Sequence, residues 1–208
     1  LVVNEGRGEP AQAPLPSDNW AYPSENVPVY DYDPEKAKQL LVDAGYADGI
    51  DIELIVVSGE RDQAMVEAMQ AMLQPTGMNL NVTVLEIAEA SPAYRENGEG
   101  DIYCVGWSGR PDPYATFQAI YDPASVYVTD YEPPAGLMDA LAATIATSDT
   151  EERAAAFAEV HQIATVENAL DFIVAMRPGM QAHSDAVQGY VPNAYGKPIM
   201  NEVWLAGE

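Results

Sequence analysis

IDIELIVVSGERDQAMVEAMQAMLQPTGMNLNVTV, residues 50–84, decides the fold. Ile50 to Val57 is an apolar run rich in β-branched residues, which reads as a strand. Arg61 to Gln74 places Met65, Ala68, Met69 and Met72 on one helical face, and Pro75 and Gly77 stop the helix. A methionine stripe at that spacing reads as core packing, not as a cofactor site. Leu80 to Val84 alternates apolar and polar residues as a half-buried strand does. Strands alternating with helices predict an α/β layer architecture with a largely parallel sheet.

The pattern extends in both directions. Upstream, Asp33 caps and Pro34 opens a helix with Ala37, Leu40, Leu41 and Ala44 on one face, ending at Gly45. Before it, residues 9–33 interleave five prolines with Trp20, Tyr22, Tyr30 and Tyr32, which predicts an extended coat over the domain surface. Downstream, SPAYRENGEG reads as a short helix and turn, and Asp101 to Trp107 as a third strand. A short helix follows over YATFQAIY, then another over Gly136 to Thr147 with Leu137, Leu141 and Ile145 inward. Asp149 and Glu152 form a capping box for a long helix through Phe157, Val160, Ile163 and Ala164. Leu170 to Met176 reads as a fourth strand.

Composition narrows the function. The 208 residues carry 33 acidic against 9 basic side chains, a formal charge of -24. Such a field repels phosphate backbones and acidic lipid surfaces, so nucleic acid is not an expected partner. Cys104 is the only cysteine, which excludes an internal disulfide framework and a cysteine-rich zinc site. No run reaches the roughly 18 apolar residues of a membrane helix. The chain opens on Leu1, which reads as a processed product or an excised piece.

Enzyme signatures are missing. His161 and His183 are the only histidines, and His161 sits at the edge of an apolar helical face, where a hydrogen-bonded boundary histidine is expected. There is no G-x-S-x-G elbow, no G-x-G-x-x-G and no Walker loop. No enzymatic activity, metal or cofactor is expected.

One corner does look built for contact. GWSGRPDP, Gly106 to Pro113, leaves the third strand at its carboxyl end, where ligands bind in open α/β sheets. Trp107 offers a flat wall with one donor, or serves as a strand-end core residue. Gly106 and Gly109 admit close backbone approach, Ser108 lies between these two glycines, and Arg110 presents a fork for a carboxylate or phosphate. Asp112 can accept from a ligand, or cap the helix opened by Pro113.

With these residues in hand a family emerges. YDPEKAKQLLVDAGY (32–46), LQPTGM (73–78), GEGDIYCVGWSGRPDP (98–113), DTEERAAAFAEVHQI (149–163) and the closing GYVPN with VWL resemble the extracytoplasmic solute-binding proteins of family 5, the dipeptide, oligopeptide and nickel type. These serve ATP-binding cassette importers in bacteria. The resemblance implies a periplasmic, type II binding-protein-like C-terminal lobe, with a mixed and mostly parallel sheet flanked by helices. It divides the chain into a ligand-binding lobe, residues 1–182, and a segment 183–208 that in the family returns to the other lobe. The resemblance starts near GRGEPA, so an N-terminal lobe and a leader are expected to precede this region. The tail is then expected to be loosely ordered or packed in a substitute position.

The family loop after the strand lines the cleft, which assigns Trp107, Ser108, Gly109, Arg110 and Asp112 to the ligand face. The implied partners are a small solute, the N-terminal lobe and a membrane permease. One departure matters. Peptide binders of the family commonly carry an acidic residue near the position of Arg110 for the peptide's ammonium, and an arginine there predicts an anionic group instead. The competing expectation is an acidic protein-docking module with no small ligand.

Overall fold

The computed structural model describes residues 8–24, 27–177, 179–193 and 197–207. In chain order these form β1 (Glu9–Pro10), α1 (Pro34–Asp43), β2 (Ile50–Val57), α2 (Glu60–Leu73), β3 (Met78–Leu85), α3 (Ile87–Arg95), β4 (Ile102–Cys104), α4 (Pro113–Tyr121), α5 (Leu137–Ala143), α6 (Thr150–His161), β5 (Ala175–Met176), β6 (Val187–Gln188) and β7 (Trp204–Leu205).

The predicted α/β core is present. β2 is the central strand of a three-stranded sheet in the order β3-β2-β4, with both neighbours parallel to it. Its register runs from Ile50 opposite Met78 to Val57 opposite Leu85 on one side. On the other it covers only Leu54 opposite Ile102 to Val56 opposite Cys104. Leu54 and Val56 pack with Leu80 against Val66 of α2, and Ile55 packs on the opposite face against Ala90 and Ala93 of α3. A strand covered on both faces needs a continuous apolar run, which Leu54–Val57 supplies where β4 pairs with β2; in the first half, beyond the reach of β4, Asp51 and Glu53 lie exposed, and β3, at the edge, alternates.

Two helices turn differently from expectation. In α2 the inward face is Val66, Met69 and Leu73, while Met72 is 47% exposed. Those three positions are spaced i, i+3 and i+7, and Met65 and Met72, one residue earlier, fall about 100° round the helix on its flank. In α1 the cap is as predicted, Asp33 Oδ1 accepting from the Lys36 amide at 2.9 Å. Yet none of its residues is buried and Leu40 is 59% exposed. It is tied to α2 from outside, where Tyr32 donates to the Met72 carbonyl at 2.9 Å.

A second core is helical. Phe117 and Tyr121 of α4, Leu137 and Leu141 of α5, and Phe157 and Val160 of α6 pack together with Ile163 and Ala164. Asp149 caps α6 through the amides of Glu151 and Glu152, and the helix runs on as a π-turn, Gln162–Glu167. Ile145, expected inward, is 53% exposed because α5 ends at Ala143. The segment predicted as a surface coat joins this core instead: Leu15 and Ala21 are buried in it, and Trp20 meets the Phe157 ring edge-on at 5.7 Å. Its later part, around Val29, Tyr30 and Tyr32, lies exposed.

The expected fourth strand shrinks to β5, which pairs antiparallel with β1 and not with the sheet. The reason lies in Asp171. Its carboxylate accepts from Thr165 Oγ1 at 2.6 Å and from the Tyr121 hydroxyl at 3.1 Å, so the run is drawn onto the helical core and Phe172 is left exposed. The tail pairs with itself, β6 against β7, with Val187 opposite Leu205, and joins neither the three-stranded sheet nor the β1–β5 ladder.

Candidate functional site

The corner after β4 is held by backbone and side-chain hydrogen bonds. β4 ends at Cys104, and residues 105–110 leave without regular structure. Asp112 Oδ1 accepts from the Tyr114 amide at 2.9 Å and so caps α4, whose first residue is Pro113. The Arg110 amide donates to Thr116 Oγ1 at 3.0 Å, and Thr116 is fully buried, which pins the loop to the first turns of the helix.

Trp107 is half-buried, with the Arg110 guanidinium 4.9 Å above its ring and Tyr127 edge-on at 5.1 Å. Its indole Nε1 is buried with no acceptor. Arg110 Nη1 donates to the Ser108 carbonyl at 2.8 Å, and Ser108 and Gly109 are exposed. Gly106 is the glycine under steric demand: a Cβ there would lie 2.8 Å from Arg177 Nη2, whereas one on Gly109 would meet nothing closer than Thr116 Oγ1 at 4.0 Å.

Asp112 has both carboxylate oxygens engaged. Arg153 Nη2 lies 2.8 Å from Oδ1 and 3.0 Å from Oδ2, while Arg153 Nε donates to the Thr144 carbonyl. Burial pushes this carboxyl up, but the hydrogen bonds from Arg153 and the Tyr114 amide, with the Arg153 charge, leave it below the usual value. Trp107, Ser108, Gly109 and Arg110 are thus together at the mouth of the corner, with Asp112 turned to structural contacts behind them.

Sequence reasoning missed the neighbours. Arg95, at the end of α3, stacks 5.1 Å from the Tyr127 ring and 5.4 Å from the Tyr103 ring. Tyr103 also stacks on Tyr94 at 5.2 Å. Arg177 reaches Asp62 at 3.1 Å beside Gly106. No local motif marks Arg95 or Arg177, because each arrives from a separate element; the one available signal was that four of only nine cations are arginines outside residues 1–94.

Elsewhere, burial raises the Cys104 thiol pKa, with Asp62 adding to the shift, which keeps the thiol protonated. His161 corrects the expectation of a hydrogen-bonded boundary residue: it is 2% exposed and both ring nitrogens lack partners. No group of three or more His, Cys, Asp or Glu among the described residues is placed to hold a metal.

Comparison with known proteins is consistent along the chain. The model of the bacterial extracellular solute-binding proteins, family 5 Middle, matches residues 2–127. A heme-binding protein A from Haemophilus influenzae is 32% identical over 220 aligned positions, covering 100% of this chain and 39% of its own length. A dipeptide-binding protein from Escherichia coli is 28% identical, covering 94% of this chain and 38% of its own. Among solved structures, HbpA2 from Haemophilus parasuis superposes with a TM-score of 0.75 at 25% identity, over 98% of this chain and 41% of that one. The dipeptide-binding protein of Pseudoalteromonas sp. SM9913, in complex with Met-Leu, has the same fold, with a TM-score of 0.78 at 24% identity over 98% of this chain and 41% of that one. The chain therefore spans about two-fifths of the length of the relatives it matches.

Proposed function

The chain belongs to the bacterial extracellular solute-binding proteins of family 5, and from that premise we propose that it forms one lobe of the binding subunit of an ATP-binding cassette importer. The lobe captures a peptide-like or other small polar solute outside the cytoplasm, in the periplasm, and delivers it to a membrane permease without chemical change. A second lobe of the same protein, N-terminal to this region, completes the enclosure, since closing two walls on a solute is what removes water from it.

In this reading Trp107, Ser108, Gly109 and Arg110 face the solute, Asp112 holds the loop that presents them, and Arg110 receives an anionic group. Suitable solutes are an acidic peptide, a modified amino acid or a sugar-phosphate conjugate. The observation that carries the reading is Arg110 itself: its guanidinium lies over Trp107 with only a backbone carbonyl as a hydrogen-bond acceptor, in a chain of charge -24. A stacked guanidinium still directs its remaining N–H groups outward in its plane.

The test is calorimetric titration of the two-lobed protein with an acidic dipeptide. Arg110→Ala should lose roughly 1.5–3 kcal/mol of binding, the worth of a hydrogen bond to a charged group. Unchanged affinity would remove Arg110 from the site.

A further inference from the structure

Three buried polar atoms without partners belong to one contact chain: Arg95 Nε, the Tyr103 hydroxyl and Trp107 Nε1. The chain of contacts runs from Arg95 to Tyr103 and Tyr127, from Tyr127 to Trp107, and from Trp107 to Arg110. An arginine Nε–H and an indole N–H only donate, and a phenol donates readily. Buried donors normally find acceptors, so a cluster of them with none is complementary to an acceptor-rich group.

The charges point the same way. Arg153 and Arg177 are paired with Asp112 and Asp62. Among the described residues neither Arg95 nor Arg110 has an ion pair, although the sequence holds 33 acidic side chains. Arg95 Nη1 is held only by Ser91 Oγ at 2.9 Å, and Arg110 Nη1 by the Ser108 carbonyl. Two guanidiniums without carboxylates thus stand at the two ends of an aromatic pair, Tyr127 and Trp107.

We propose that Arg95 is a second specificity-determining residue of this site, and that Arg95 and Arg110 together select a solute carrying two anionic groups joined by a less polar middle that lies along Tyr127 and Trp107. The proposal rests on the reading of the corner as the solute site. Arg110 receives the first anion. Arg95, oriented by the Tyr103 and Tyr127 rings, receives the second. Tyr127, 40% exposed, touches both Arg95 and Trp107 and so links the two ends of the site.

The experiment compares Glu-Ala with Gln-Ala, isosteric dipeptides that differ by one carboxylate, the two anionic groups of Glu-Ala lying at opposite ends of the peptide. Binding to the two-lobed protein is followed at the Trp107 indole N–H by NMR, the signal being assigned by its loss in Trp107→Phe. The wild-type protein should bind Glu-Ala at least tenfold more tightly than Gln-Ala. Arg95→Gln should abolish that preference by weakening Glu-Ala far more than Gln-Ala, and Arg95→Lys should restore part of it. Arg110→Gln should weaken both peptides. Equal binding of the two peptides by wild type, with Arg110→Gln still weakening both, overturns the second anion site and leaves the first reading standing. An equal loss for both peptides in Arg95→Gln also overturns it, since that is the mark of a purely structural arginine. If neither peptide moves the Trp107 signal, or Arg110→Gln changes neither affinity, the reading of the corner falls with it.

Discussion

One nitrogen of Arg153, Nη2, bridges both carboxylate oxygens of Asp112, 2.8 Å from Oδ1 and 3.0 Å from Oδ2, across 41 residues of sequence. The pair ties the cap of α4 to the first turns of α6, and so fixes the loop that carries Trp107 and Arg110 onto the helical core. Because the Asp112 side chain is 52% exposed, the ion pair itself contributes little, and most of the effect is the cap.

Asp112→Ala should therefore destabilise the chain by about 1–2 kcal/mol, whereas Asp112→Asn, which keeps a capping oxygen, should cost less than half of that. The pH dependence has a definite sign. A carboxyl whose folded pKa is lowered stabilises the fold above its ordinary value of 3.8, and the contribution disappears as pH falls through the lowered value. Urea unfolding at pH 7 and again near pH 3 should show the gap between wild type and Asp112→Asn narrowing in acid.

His161 makes the opposite kind of prediction. Burial lowers its folded pKa below the ordinary 6.5, with the Asp171 carboxylate pulling weakly the other way. The unfolded chain then takes up a proton that the folded chain refuses, so stability is full above pH 6.5 and falls as pH drops below it. His161→Leu, which removes two unpartnered nitrogens, should raise stability by about 1–2 kcal/mol at pH 7 and flatten the loss between pH 6.5 and 5. A steeper acid loss in the variant would contradict this account.

Phe157 joins the Pro-rich N-terminal segment to the helices, with Trp20 at 5.7 Å and Phe117 at 5.1 Å. Phe157→Ala should cost roughly 3–5 kcal/mol, as large deletions in a core do. If residues 11–21 were a surface coat, thermal unfolding would show a much smaller loss; limited proteolysis of the variant should also cut first within that segment.

Gly49 has φ +89, and a Cβ there would lie 2.5 Å from the Gly77 carbonyl oxygen, which already accepts from the Ile50 amide. Gly49→Ala should destabilise by roughly 1–3 kcal/mol from backbone strain, with a further cost from the contact. Gly45, at φ +93 but with nothing near its Cβ position, should pay the strain alone, so Gly45→Ala should come out milder in the same denaturation assay.

Local features of the fold were legible because they are encoded locally. Asp33 before Pro34, Asp112 before Pro113 and Asp149 before Thr150 all cap helices, since a cap needs only a short side chain and the next two or three amides. The strand character of Ile50–Val57 was equally plain, because its β-branched residues alternate with Asp51 and Glu53 in the first half and run on as Leu54–Val57 where both faces are covered. Helix facing was less so: Met65 and Met72 lost the inward position to Val66, Met69 and Leu73, a choice set by the sheet and not by α2. The candidate site was half legible. Trp107, Ser108, Gly109, Arg110 and Asp112 stand together as neighbours in sequence, but Arg95, Tyr103, Tyr127 and Arg153 reach them from four other places in the chain.

The sequence alone determined the alternation of strands and helices from Pro34 to His161, the caps and the strand at Ile50–Val57, all consequences of short-range backbone and patterning rules. Only the tertiary structure decided that Leu15 and Ala21 are buried in the helical core, that Leu170 to Met176 stays out of the sheet, and that Asp112 is held by Arg153. It also decided that Arg95 and Arg110 bracket one aromatic pair. Each of these depends on which distant side chain can satisfy a buried donor, a carboxylate or an apolar face, and that competition is settled only when the layers pack.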